Sequence, residues 1–227
     1  MKVAILGTGS VGRIFIKALT TKVDTLLWGT SDPVETLSRP IEEGKSETVS
    51  SWLSSFSNVK LVPYSECAAA DLYINVSKGE SAVAVLESVG ENSLDGKTVI
   101  DVSNPLDFSK GFPPSLFVCN TDSLGETIQR RFPKAHVVKS LNTMTASVMV
   151  NPASVDSGDH HVFLCGNSIE ARTEVGVFLR EWFGWRNILD LGDLTAARAT
   201  EMALPLWLKV WQATGSGQFQ FKIAGLK

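Results

Sequence analysis

Near the N-terminus the chain reads Gly7-Thr8-Gly9-Ser10-Val11-Gly12, an unbroken GxGxxG. The stretch follows an apolar run at residues 2–6, which predicts a strand, and it opens an amphipathic helical pattern over residues 11–19. In that context the first glycine permits a tight turn, the second lets the backbone approach a pyrophosphate, and the third lets helix and sheet pack closely. The stretch therefore predicts a Rossmann-type unit that binds NADP(H) or NAD(H), although a glycine-rich turn of purely structural use is the alternative.

Apolar runs alternate with amphipathic stretches along the rest of the chain, which is typical of parallel βαβ units. Strands are predicted at residues 2–6, 25–28, 72–76, 98–102, 116–119, 136–140, 161–165 and 187–190. Helices are predicted at residues 11–19, 122–132 with Asp122 as N-cap, 169–182, and 196–211 with a kink at Pro205. Residues 32–59 are interpreted as a helical crossover and the alternating tail at 215–223 as a late strand.

These elements predict an α/β fold: a Rossmann-type doubly wound, mostly parallel sheet with a small helical C-terminal part. Residues 1–145 are expected to form the dinucleotide-binding domain, and residues 146–227 a smaller α/β part packed against it. A chain of 227 residues has room for this arrangement.

Composition excludes several classes of function. Hydrophobic residues make up 44% of the chain and charged residues 20%, which is ordinary for a globular enzyme. The net charge of −3 gives no basic surface for nucleic acid or an anionic membrane. The apolar runs are too short for a signal peptide or a bilayer span, so a cytoplasmic location is expected. The cysteines stand far apart and His160 and His161 point to opposite faces of a strand, so no metal site is predicted.

The turn after the second predicted strand bears on the choice of cofactor. NAD-binding versions place an acid there for the ribose 2′-hydroxyl, and this chain has Gly29. Thr30 and Ser31 add hydroxyl donors for a 2′-phosphate, while no arginine stands beside them in the sequence. Asp32 could turn back to the ribose, or it could cap a helix that begins at Pro33. The turn favours NADP, with NAD as the alternative.

Two further loops follow predicted strands, Val76-Ser77-Lys78-Gly79 and Val102-Ser103-Asn104-Pro105. Ligands of such sheets bind at the carboxyl ends of strands, so both loops are expected to border the nicotinamide. Lys78 could be an acid, an anion anchor or a solvated loop residue, and Asn104-Pro105 could be a simple turn.

No catalytic residue is identified. Neither Tyr64 nor Tyr73 is followed by lysine at the fourth position, and no GxSxG or P-loop occurs. Reduction of a carbonyl needs a proton donor, whereas a flavin-like ring delocalises the incoming charge. A site without an obvious acid therefore favours hydride transfer to such a ring.

Six segments resemble the NADPH-dependent reductases of the deazaflavin coenzyme factor 420, and the cytosolic reductase domain of the six-transmembrane metalloreductases is similar. The segments are Gly7–Gly12, Gly29–Pro33, Asp101–Pro105, Ser123–Glu126, Val137–Thr143 and Cys165–Gly166. The likeness runs from Met1 into the tail at residues 219–223. In one departure, Ser31 stands where that family usually has arginine.

The resemblance implies an oxidoreductase, often a homodimer, that moves a hydride between NADP(H) and a small-molecule acceptor of flavin or deazaflavin type. It implies cofactor contacts at Gly7, Thr8, Gly9, Ser10, Val11, Gly12, Thr30, Ser31, Val76, Ser77, Asn104, Pro105 and Ser140. It implies a second ring near Asn142, Thr143 and Met144, and Lys78 joins them as a candidate substrate residue. The alternative for Asn142 is that it caps a helix starting at Thr143. Two alternatives stay open: a non-catalytic dinucleotide-binding or redox-sensing protein, and a reductase of a small carbonyl or imine with Lys78 as acid.

Overall fold

The strands of the protein alternate with its helices along most of the chain. The computed structural model describes residues 1–42 and 44–225. Its strands are β1 (Lys2–Leu6), β2 (Thr25–Thr30), β3 (Val59–Pro63), β4 (Leu72–Asn75), β5 (Thr98–Asp101), β6 (Leu106–Asp107), β7 (Ser115–Leu116), β8 (His136–Ser140), β9 (His161–Gly166) and β10 (Asn187–Asp190). Its α-helices are α1 (Ser10–Leu19), α2 (Pro33–Ser38), α3 (Val49–Leu53), α4 (Ala82–Val89), α5 (Leu124–Arg131), α6 (Ala146–Val150), α7 (Ile169–Phe178) and α8 (Ala197–Thr214).

Eight of the strands form one sheet in the order β10-β9-β8-β5-β4-β1-β2-β3. Every neighbouring pair in this sheet is parallel except β8 and β9. The strand order reverses between β1 and β4, so their carboxyl ends flank a crevice of the kind that binds ligands in open α/β sheets. The predicted doubly wound, mostly parallel sheet is confirmed. The division after residue 145 stays a prediction, while β9 and β10 extend the same sheet.

Helices cover both faces of the sheet. Along β1, Val3 and Ile5 belong to one hydrophobic core, and Ala4 and Leu6 belong to the other. This alternation is expected of a strand that is covered on both sides. The first core packs under α1, α6 and α7, and the second packs under α4 and α5 with the start of α8. None of the described helices is long and apolar enough to span a bilayer.

Two predicted segments fold differently from expectation. The strand predicted at 116–119 is wrong: Leu116 pairs with Leu106 in the short antiparallel hairpin β6–β7, outside the main sheet. In the described part of the crossover at 32–59 the helices are the short α2 and α3, and the following strand β3 was missed. Strand β3 pairs with β2 as an outer strand, and its burial is mixed.

Three predictions about ends and breaks also need correction. The tail at 215–223 is not a strand, because among its backbone groups only the Phe221 carbonyl takes a hydrogen bond from β9, at 3.0 Å from His161 N. Helix α8 runs through Pro205, with Leu204 and Leu208 buried, so the predicted interruption is wrong, while the kink stays a prediction. The N-cap of α5 is Ser123, whose hydroxyl accepts from the Glu126 N–H, and Asp122 instead pairs with Arg130.

Candidate functional site

Two connected depressions lie at the carboxyl edge of the sheet. The first, the polar cleft, has a volume of about 700 Å³ and is lined by Gly7, Thr8, Gly9, Thr30, Ser31, Arg39 and residues after β3 and β4. The second, the apolar cavity, has a volume of about 330 Å³ and is lined by Val11, Val102, Leu106, Met144, Met149, Leu204 and their neighbours. Val76, Ser77 and Lys78 line both, so one elongated ligand can occupy the two.

The glycine turn fits a pyrophosphate. Gly7 has a φ of +125°, a conformation that side chains disfavour, and Trp28 Nε1 donates to its carbonyl oxygen at 3.0 Å. A Cβ on Gly12 would clash with that same oxygen, so the third glycine is needed for helix–turn packing. A Cβ on Gly9 would meet no atom within 4 Å. The space beside Gly9, at the uncapped N-terminus of α1, is therefore open for a phosphate to approach the backbone.

The turn after β2 places Asp32 at the N-terminus of α2. Its Oδ1 accepts a hydrogen bond from Glu35 N at 2.9 Å, so Asp32 caps α2 with Pro33 in the first turn. The carboxylate is therefore engaged by the helix, and Asp32 does not line the polar cleft. Thr30 is buried and Ser31 is exposed at the cleft. Arg39, at the end of α2, joins them there, and its guanidinium donates to Thr8 Oγ1 at 2.8 Å.

The loops after β4 and β5 are held by the last residues of those strands. Asn75 Oδ1 accepts from Ser77 Oγ at 2.6 Å, and Asp101 Oδ1 accepts from Ser103 Oγ at 2.6 Å. Asn75 Nδ2 also donates to Asp101 Oδ1 at 2.9 Å, which joins the two strand ends. A Cβ on Gly79 would clash with the Asn104 carbonyl, so the loops are in close contact. Both loops are thereby fixed relative to each other beside the apolar cavity.

A buried charged cluster lies beneath these loops. The Lys139 ammonium contacts Asp101 Oδ2 at 2.8 Å and Glu201 Oε1 at 2.8 Å, and it donates to the Ser103 carbonyl at 2.6 Å. All three ionised side chains are at most 1% exposed. Glu201 also accepts from the Leu124 N–H, which anchors α5 to α8. Burial disfavours the ammonium, but attraction to Asp101 and Glu201 outweighs it and raises the pKa of Lys139.

The segment after β8 brings Asn142 and Met144 to the apolar cavity. Asn142 Nδ2 donates to Asn104 Oδ1 at 3.0 Å, and Asn104 Nδ2 donates to the Asn142 carbonyl at 2.9 Å. Helix α6 begins at Ala146 with Thr145 as N-cap, so the alternative in which Asn142 caps a helix from Thr143 is wrong.

Some predicted residues lie outside the cavity walls. The Ser140 hydroxyl donates to the Phe163 carbonyl at 2.8 Å and so ties β8 to β9. Thr143 is buried, and Pro105 has its carbonyl oxygen bonded to Phe117 N. Ser10 is the first residue of α1 and does not line the polar cleft.

The cavity walls also contain residues that sequence reasoning missed. Leu106, Phe108, Met149 and Leu204 come from the β6–β7 hairpin, α6 and α8, which are remote from the recognised motifs. Arg39 stands eight positions after Ser31, beyond a helix whose short length the sequence did not reveal. In the sequence, Arg39 stood out only as a basic residue that follows a helix with a predicted N-cap.

Few titratable groups face the apolar cavity. Among its described lining residues these are Lys78 and Glu80, whose charged atoms are 4.0 Å apart and whose side chains are 85% and 64% exposed. Burial raises the pKa of Cys67 and of Cys165 to about 12, so neither thiol ionises near neutral pH. Within the described ranges no three His, Cys, Asp or Glu side chains group as a metal site.

Comparison with known proteins identifies the family of the chain. The sequence profile of the family "NADP oxidoreductase coenzyme F420-dependent" matches residues 2–105. A crystal structure from Arthrobacter sp. FB24, of a protein named as a candidate F420-dependent NADP reductase, is 46% identical, covers 99% of both chains and has a TM-score of 0.93.

More distant structures share the fold. A hypothetical protein from Sinorhizobium meliloti is 24% identical over 86% of both chains, with a TM-score of 0.63. An imine reductase from Myxococcus stipitatus in complex with NADP+ is 14% identical over 94% of this chain and 61% of its own, also with a TM-score of 0.63. At such identities the likeness concerns the fold alone. Among curated proteins, none matches the chain in sequence.

Proposed function

The chain belongs to the coenzyme F420-dependent NADP oxidoreductase family, and from that premise we propose that it transfers a hydride between NADP(H) and a deazaflavin or flavin ring. Its activity is NADP-linked oxidoreduction, and the ring acceptor is the proposed part. The observation that carries the proposal is the continuity between a polar cleft suited to phosphates and an apolar cavity suited to rings. The two meet at Val76-Ser77-Lys78, where the nicotinamide is proposed to lie.

The polar cleft is proposed to bind the adenosine half and the phosphates. Gly7, Thr8 and Gly9 would contact the pyrophosphate through the backbone at the start of α1. Thr30 and Ser31 would lie beside the 2′-phosphate, since they end the strand next to β1. The engagement of Asp32 as a cap supports NADP over NAD, because its carboxylate is then held by the helix instead of facing the ribose.

The apolar cavity is proposed to bind the acceptor ring against the nicotinamide. Met144 and Met149 offer polarisable surfaces suited to aromatic faces, and Val11, Val102 and Leu204 limit the access of water. Asn142 and Asn104 hold each other in place, and no described residue donates to Asn142 Oδ1. That oxygen is therefore free to accept a hydrogen bond from a ligand and to orient it.

The chemistry proposed for the cavity needs little from the chain beyond binding and alignment. Reduced nicotinamide supplies a hydride, and a ring acceptor spreads the resulting charge. The only described titratable side chains at the cavity are Lys78 and Glu80, and both are largely exposed. A carbonyl or imine reductase would need one of them as proton donor. The homodimer and the cytoplasmic location stay predictions.

The proposal is tested by following NADPH oxidation with a deazaflavin, with FMN, with a small cyclic imine and without acceptor. We expect turnover with a deazaflavin or FMN, and we expect Lys78→Met to retain it. Turnover confined to the imine and lost in Lys78→Met would instead establish the imine reductase. Tight NADPH binding without turnover of any acceptor would point to a non-catalytic sensor.

A further inference from the structure

Arg39 occupies a position in the polar cleft that neither the family motif nor the hydride-transfer chemistry assigns. Its backbone ends α2 in an extended conformation, with φ −68° and ψ 145°. The side chain then reaches back over the turn after β2. Its Nη2 donates to Thr8 Oγ1 at 2.8 Å and to Thr36 Oγ1 at 2.7 Å. The guanidinium thereby bridges the glycine turn and helix α2 at the wall of the cleft.

The hydroxyls beneath Arg39 form a connected row. Thr36 is buried, and its Oγ1 shares a hydrogen bond of 2.8 Å with Thr30 Oγ1 at the end of β2. Thr30 is therefore held by Thr36, and Thr36 by Arg39, so the position of the guanidinium is linked to the strand end that faces the ribose. These hydrogen bonds hold the Arg39 guanidinium at a defined position beside the end of β2.

Most of the donor capacity of Arg39 remains available. In the part of the chain that the structure describes, its Nε and Nη1 donate to no protein group and no carboxylate pairs with it. Tyr64 and Ser65 also line the polar cleft. Burial is the main cause that raises the pKa of the Tyr64 hydroxyl, and the charge of Arg39 opposes that rise. An unpaired guanidinium beside hydroxyl donors is the arrangement that binds a phosphate dianion through two parallel hydrogen bonds.

We propose that Arg39 binds the 2′-phosphate of NADP(H) together with Thr30 and Ser31, and that it determines the preference of this chain for NADP(H) over NAD(H). The arginine expected at position 31 is absent from the sequence, and Arg39 supplies the same guanidinium from the far end of α2. The proposal concerns the adenosine end of the site, so it stands whatever ring accepts the hydride. Asp32 does not oppose it, because its carboxylate caps α2.

The test compares the dissociation constants of NADPH and NADH by calorimetry in wild type and Arg39→Gln. Charged hydrogen bonds contribute about 1.5–3 kcal/mol, so NADPH affinity is expected to fall roughly 10- to 100-fold. NADH affinity is expected to change less than about threefold, since NADH has no 2′-phosphate. The fragments 2′,5′-ADP and 5′-AMP should reproduce the contrast. Arg39→Lys, which keeps the charge without the planar fork, should fall between wild type and Arg39→Gln.

Arg180→Gln is the matched control, because it removes an exposed guanidinium after α7, away from both depressions. It should leave both affinities unchanged, and circular dichroism should show every variant folded. Equal losses for NADPH and NADH in Arg39→Gln, or no loss for either, would overturn the proposal. So would an NADPH preference that persists in both Arg39→Gln and Arg39→Lys.

Discussion

Replacing Lys139 with methionine is expected to destabilise the protein far more than the loss of an ordinary surface ion pair. The methionine fills a similar volume but leaves Asp101 and Glu201 buried without their shared cation. It also removes the donor to the Ser103 carbonyl, which helps to fix the loop after β5. The change therefore acts on stability and on the shape of the apolar cavity together.

The size of the effect follows from the burial of the cluster. Removing one partner of a buried ion pair costs about 3–5 kcal/mol, because an uncompensated charge remains. Each kcal/mol lowers the melting temperature of a chain of this size by about 2–4 °C, so a fall of about 6–20 °C is expected. Lys134→Met is the matched control: Lys134 pairs with Asp95 at 2.8 Å, but its side chain is 72% exposed. That pair contributes at most about 1 kcal/mol.

The pH dependence of the effect has a definite sign. A lysine whose pKa is raised by folding contributes stability that is fully present below its unfolded value of 10.5 and is lost only as pH rises through the folded value. Urea titrations at pH 7 and at about pH 9.5 should therefore give the same difference between wild type and Lys139→Met. If Lys139→Met were as stable as Lys134→Met, the role given to the buried cluster would be refuted. A difference that vanished by about pH 9.5 would refute the raised pKa.

Three other predictions concern the cofactor turn, the acceptor side and the α5–α8 contact. Gly9→Val should abolish NADPH binding, as measured by calorimetry, without changing the circular dichroism spectrum, because the new side chain enters the open space that the phosphate needs. An unchanged affinity for NADPH would contradict the placement of the pyrophosphate. Asn142→Ala should slow single-turnover NADPH oxidation with little change in NADPH affinity, and it should cost about 1 kcal/mol through the lost bond to Asn104; wild-type turnover would remove Asn142 from the site. The hydrogen bond from Arg198 lowers the pKa of Glu126, so the stability from this pair is present above the unfolded pKa of 4.5 and is lost as pH falls. Glu126→Gln should therefore reduce the loss of unfolding free energy between neutral and acidic pH. If that loss is the same in the variant as in wild type, the pair is not its source.

The parts of the fold that are local in sequence were predictable. The GxGxxG stretch contains its own turn, helix start and phosphate-binding space within six residues, and strands such as β1 and β9 are predominantly apolar. The loops after β4 and β5 could be placed because parallel strands end at one edge of the sheet. Strand β3 escaped prediction because its partner β2 is remote in sequence, and the β6–β7 hairpin escaped because each of its strands has only two residues.

The residues that complete the site depend on contacts between distant segments. In the sequence, Lys139 is only a charged residue within a predicted strand. Its partners Asp101 and Glu201 lie 38 and 62 positions away. Arg39 could not be placed because the length and exit direction of α2 decide where its side chain falls. Asn142 seemed suited to cap a helix, but α6 starts later, at Ala146. In each case tertiary geometry selected between interpretations that the sequence allowed.

The transfer of a deuterium label tests hydride transfer to a ring most directly. NADPH deuterated at both C4 positions of the nicotinamide would be mixed with the protein and an oxidised deazaflavin, and the reduced acceptor analysed by mass spectrometry. A deazaflavin has carbon at its accepting position, so a transferred deuterium is retained against solvent exchange. The account predicts one deuterium in the reduced acceptor and none after reaction of Gly9→Val. Oxidation of NADPH without label in the acceptor, or no oxidation with either the deazaflavin or FMN, would contradict it.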